Sequence, residues 1–70
     1  MRLSTRNQLR GTVAAIEVGS VMTIVKVDLD GGQQMTASVT KDAVEELGLV
    51  VGSPVVTLVK ATEVMLGVDD

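Results

Sequence analysis

The run VMTIVKVDLD reads with a period of two. Val21, Thr23, Val25, Val27 and Leu29 point one way, and Met22, Ile24, Lys26 and Asp28 point the other. Period two with β-branched residues predicts a strand. Gly19-Ser20 before it reads as a turn, and Asp30-Gly31-Gly32 after it is a hairpin signal. In QMTASVT the alternation resumes, with Met35, Ala37 and Val39 on one face and Thr36, Ser38 and Thr40 on the other. Upstream, Gln8 to Val18 is more mixed, but Val13, Ala15 and Ile16 suit another strand.

The periodicity changes at TKDAVEELG. Thr40 reads as a helix N-cap, Asp42 lies in the first turn, and Gly48 suits the residue just past the helix end. Ala43, Val44 and Leu47 fall at helical spacing, which predicts about two turns. LVVGSP is a loop broken by Gly52 and Pro54. PVVTLV is a strand apolar on both faces, KATE a turn, and VMLGV a final short strand. The predicted order is β-β-β-α-β-β. It fits an all-β unit with one short helix, the five-stranded OB-like barrel, whose helix lies between strands three and four. An SH3-like barrel would give a similar reading. No internal repeat or low-complexity segment appears.

Length sharpens this picture. Seventy residues are expected to form one domain, 1–70. A chain of this size buries only about 60% of its unfolded surface and ordinarily needs a staple. With no Cys and no His, disulfides, thiolate sites and imidazole-based zinc sites are excluded. Oligomerisation remains. The apolar content is 46% yet holds no aromatic residue, and the strands VMTIV and VVTLV are apolar on both faces. One face fills a barrel and the other calls for a symmetric subunit contact. No run reaches the ~18 apolar residues of a membrane span. The N-terminus lacks the apolar stretch of a signal peptide. The expectation is a cytoplasmic protein with no membrane partner.

Charge then raises a question. The chain is acidic, with nine Asp+Glu against six Lys+Arg, yet Arg2, Arg6 and Arg10 all fall within the first ten residues. Ser4, Thr5, Asn7 and Gln8 lie between them. Catalysis has neither His nor Cys to use, and Asp28, Asp30, Glu45 and Glu46 read as solvated turn or helix residues, so no enzyme is expected. Nucleic-acid barrels stack bases on aromatic side chains in a basic groove, and this chain has no aromatics and a net charge of −3. What remains is a donor set: the early cluster, Thr40 at a helix start, and Lys60 with Thr62 after an apolar strand. Donors beside cations suit a small, fully ionised anion. The same residues also read as a loose terminus, a simple cap and a snorkelling lysine.

STRNQLRG, VTKDAVEELGLVVGSPV and VKATEVML together carry a resemblance. The chain resembles the molbindins, the small Mop-type molybdate-binding proteins, and the related TOBE domain of molybdate-responsive regulators and transporter ATPases. The match runs from about Arg2 to Leu66. The resemblance implies an OB-like barrel and a hexamer built as a trimer of dimers. It also implies cytoplasmic storage and buffering of molybdate or tungstate at sites between subunits. By the same likeness the oxyanion ligands would be Ser4 and Arg6 of S-x-R-N-Q, Thr40 before the helix, Lys60, and the backbone N–H of Ala61. Position 5, commonly Ala or Gly in the family, is Thr here. A second class of site, rich in backbone N–H groups, would fall at Gly19 and Ser20, which otherwise form a plain hairpin turn. The competing reading is a small OB-type interaction module for nucleic acid or a protein partner. A third is a regulatory domain acting in trans.

Overall fold

A computed structural model describes residues 1–69. Four strands form one antiparallel sheet: β1 (Asn7–Val18), β2 (Met22–Leu29), β3 (Gln34–Thr40) and β4 (Pro54–Val59), in the order β3-β2-β1-β4. The single α-helix, α1 (Lys41–Leu47), leaves β3 directly, and a 3₁₀ turn (Ala61–Glu63) follows β4. The all-β architecture with one short helix is the one expected, a curled sheet shaped as a partial barrel.

β1 is the spine. Its first half, Asn7 to Thr12, pairs with β4, and Gly11 to Val18 pairs with β2. The register slips between Val13 and Ala15, so Ala14 is an extra residue. Such a bulge bends a strand and increases its twist. The loop before β4 is pinned at the same place: Val13 N–H donates to the Ser53 carbonyl at 2.9 Å and Gly52 N–H to the Val13 carbonyl at 2.8 Å. Gly11 sits where β2 and β4 both close on β1. A Cβ there would lie 2.5 Å from the Asp28 carbonyl oxygen, so only glycine permits this approach.

The inward face follows the alternation. Val13, Val25 and Val27 are buried, and Ile16, Leu29, Ala37, Val39, Val44 and Val55 pack around them. Thr36, Ser38 and Thr40 point outward. At the start of α1 the Thr40 hydroxyl accepts from Ala43 N–H at 3.0 Å. At its end Gly48 takes the left-handed conformation at φ 64°. Leu47 departs from the expected apolar face: it is 72% exposed, because it overhangs an unfilled groove rather than packed core.

One expected element does not form. VMLGV was predicted to be a fifth strand, but Val64 to Asp69 follow the 3₁₀ turn with no sheet partner. Met65 is 91% exposed and Leu66 95%. The turn at Ala61–Glu63 does not return the chain onto β4, so the apolar segment has no ladder to join. The barrel thus stays open, with an apolar groove between its edge strands lined by Val25, Val27, Met35, Val39, Leu49 and Val55. A radius of gyration of 13.0 Å compares with about 11 Å for a compact chain of this length.

Candidate functional site

The antiparallel pairing of β1 with β4 sets the site. Asn7, the first residue of β1, stands opposite Val59, the last of β4. The chain entering β1 and the chain leaving β4 therefore emerge side by side. The first carries Ser4, Thr5 and Arg6, and the second carries Lys60, Ala61 and Thr62. Together with Leu58 they line one open pocket of about 430 Å³.

Its chemistry is one-sided. Two hydrogen-bond-donating cations, Arg6 and Lys60, and three hydroxyls, from Ser4, Thr5 and Thr62, face it with no carboxylate among the lining residues. Hydroxyls can donate or accept, whereas guanidinium and ammonium groups only donate. Such a lining suits an anion that presents acceptors on every side. Ser4, Arg6 and Lys60 are exposed, so the pocket opens to the surface and a ligand or a neighbouring chain can reach it. Among the described residues no cluster of His, Cys, Asp or Glu has metal-holding geometry.

Two residues of the donor-rich N-terminal run point elsewhere. The Asn7 side-chain amide donates to the Val59 carbonyl at 3.0 Å, and the Gln8 amide donates to the Thr5 carbonyl at 2.8 Å. Thr5 and Thr62 are the additions. Both stood in donor-rich stretches, but only the strand register shows that their hydroxyls share one cavity.

Thr40 is not brought to this pocket within one chain. It pairs with Met22, and the following Lys41 N–H donates to the Val21 carbonyl at 2.8 Å. That places it at the far end of the sheet, beside the Gly19–Ser20 turn. Val18 and Asn7 lie at opposite ends of β1, roughly 35 Å of strand apart. The Gly19 amide donates to the Met22 carbonyl at 2.9 Å, as in a plain hairpin turn. Ser20 is exposed. The helix that Thr40 caps is only seven residues long.

A curled antiparallel sheet with a donor-lined pocket where its first and last strands meet defines a small half-barrel module of OB-like type. The chain belongs to the TOBE domain family, whose model matches residues 3–66. It is 48% identical over 69 residues to a Haemophilus influenzae protein named "Probable molybdenum-pterin-binding protein", covering 99% of this chain and 100% of that one. Among solved structures it is similar to apo MopII from Clostridium pasteurianum. The TM-score is 0.91 at 37% identity, over 96% of this chain and 100% of that one. It also resembles the cytoplasmic molybdate-binding protein ModG with molybdate bound, with a TM-score of 0.94 at 49% identity. That match covers 99% of this chain and 49% of the ModG chain.

Proposed function

We propose that the protein binds molybdate or tungstate as a cytoplasmic store and buffer, without catalysis, through Ser4, Arg6, Lys60 and the backbone N–H of Ala61. The observation that carries this reading is the pocket itself, with two cations, three hydroxyls and no carboxylate. The names of the relatives support a molybdenum ligand, as a molybdenum-pterin in the Haemophilus influenzae protein and as molybdate in ModG, of whose chain this one covers 49%. Molybdate is a tetrahedral dianion that offers only acceptors. Phosphate near neutrality is largely protonated on one oxygen; the cations and backbone N–H groups offer that O–H no acceptor, and a hydroxyl that accepts from it is a donor lost to the anion, a handicap of ~0.5–1.5 kcal/mol. A pterin ring needs acceptors for its own N–H groups and a surface to stack on. The pocket supplies no carboxylate and no aromatic face, which favours the bare oxyanion.

Assembly belongs to the same proposal. The chain exposes 5579 Å², against about 4,200 Å² for a folded monomer of its 7.3 kDa mass. An open apolar groove and a tail in which Met65 is 91% and Leu66 95% exposed are among the uncovered surfaces. The apolar tail of a second copy would suit such a groove. A homo-oligomer, in the family's form a hexamer made as a trimer of dimers, would bury both. A neighbouring subunit's Thr40 then becomes the means by which that residue joins the pocket, since its own chain keeps it apart.

Titration calorimetry with molybdate tests the function. The expected result is saturable binding, with tungstate competing well, sulfate weakly and phosphate hardly at all. Phosphate competing as well as tungstate would reduce the site to a generic cationic patch. Binding of a short single-stranded oligonucleotide in place of molybdate would favour the interaction-module reading.

A further inference from the structure

Two side-chain hydrogen bonds frame the pocket without entering it. Asn7 follows Arg6 in sequence, and its amide reaches across to the carbonyl of Val59, the residue before Lys60. It is the side-chain tie between the two walls at the point where they diverge from the β1–β4 ladder. Gln8 folds back over three residues to the Thr5 carbonyl, closing a loop with Arg6 inside it. Arg6 is an exposed, long side chain on a segment outside the sheet. Ordering such a side chain on binding costs rotamer freedom, and fixing the backbone beneath it lowers what the ligand must still order.

We infer that Asn7 and Gln8 are positioning residues: they hold Arg6 beside Lys60 in the geometry of the anion and are not themselves its ligands. The inference rests on the oxyanion reading of the pocket. It accounts for the choice of an amide at position 7. The acceptor is a carbonyl oxygen, so the partner must donate. An Asp there would turn an acceptor toward an acceptor and place a negative charge beside an anion site. The chain spacing matters as well, because Asn7 ties wall to wall while Gln8 ties within one wall.

The test measures molybdate dissociation constants by calorimetry for wild type, Arg6→Ala, Asn7→Leu, Gln8→Met and the Arg6→Ala/Asn7→Leu double variant, each repeated in competition with sulfate. Leu matches Asn in shape without its donor. Losing one hydrogen bond that orders the site should raise the constant about tenfold in Asn7→Leu, and a few-fold in Gln8→Met, whose tie is exposed. Both variants keep the full positive charge, so sulfate should lose less affinity than molybdate, and the ratio between the two should narrow. The double variant should lose less than the product of the two single losses, since Asn7 acts through Arg6. Gln8→Met should keep the wild-type thermal midpoint and oligomeric state, so its loss cannot be a folding defect even where Asn7→Leu is unstable. Wild-type constants and an unchanged sulfate ratio in Asn7→Leu and Gln8→Met, with Arg6→Ala impaired, would overturn the positioning role and leave the pocket standing. Full multiplicativity in the double variant would overturn it too. A wild-type protein that does not bind molybdate would remove the oxyanion reading and this inference together.

Discussion

Arg6 and Lys60 bring the positive charge to a pocket whose other polar members are hydroxyls. Charge-assisted hydrogen bonds of this kind contribute ~1.5–3 kcal/mol each. Lys60→Ala should therefore weaken molybdate binding by roughly one to two powers of ten, measured by calorimetry, while light scattering shows the assembly intact. Wild-type binding by both Lys60→Ala and Arg6→Ala would place the site elsewhere. Thr23 offers a prediction about stability instead. It stands on the inward face of β2, fully buried, and its hydroxyl has no hydrogen-bond partner. The alternation put Thr23 inward from sequence alone, but an orphaned hydroxyl is a property of the packed core. Replacing it by the near-isosteric Val removes a desolvation cost of ~1–3 kcal/mol. Thr23→Val should raise the thermal midpoint by several degrees, at about 4–8 °C per kcal/mol for a domain of this size. A lower midpoint in a melting curve would mean that the hydroxyl finds a partner after all.

Strands β2 and β3, the cap at Thr40 and the left-handed Gly48 were readable because each is a local pattern: period two, a side-chain oxygen ahead of a helix, a glycine past its end. The tail differs. VMLGV is apolar enough to read as a short strand, but a strand also needs a free edge within reach, and no local pattern encodes that. Asn7 and Gln8 show the same limit in the site. Their residue types declared them donors, whereas their acceptors, the Val59 and Thr5 carbonyls, depend on register and on a turn. Thr5, Thr62, Ser4 and Lys60 meet only because Asn7 stands opposite Val59. The bulge at Ala14 was equally invisible, as it resides in how β1 divides itself between two partners. Gly11 marks that division. With a Cβ 2.5 Å from the Asp28 carbonyl oxygen and 2.9 Å from Val27 Cγ1, Gly11→Ala must push β1 and β2 apart. Overpacking of this kind costs ~1–3 kcal/mol, so the variant should melt well below wild type. An unchanged midpoint would show that the two strands can separate freely at this corner.

The whole molecule is a curled four-stranded sheet with an open apolar groove between its edge strands. Among the described residues only Val13, Val25 and Val27 are buried apolar side chains, too small a core for a chain without disulfide or metal. Meanwhile Val64, Met65, Leu66 and Val68 stand exposed on an unpaired segment. Each such side chain contributes about 1.5–3 kcal/mol when fully buried, so covering the groove of a second copy is a strong drive toward assembly. Burial of apolar surface does not depend on charge pairing, and salt at 1 M shortens the screening length to about 3 Å. On the proposed assembly, a purified sample should be a hexamer by light scattering and keep that mass in 1 M NaCl. Leu66→Asp, which places a charge in the covered groove, should dissociate it. The same variant should bind molybdate more weakly although residue 66 does not line the pocket, because in the proposed assembly it is a neighbour's Thr40 that joins the Ser4–Arg6–Lys60 cluster. A stable monomer of the wild type at micromolar concentration would refute the assembly. A monomeric Leu66→Asp that binds molybdate as tightly as the hexamer would show instead that one chain's own residues suffice.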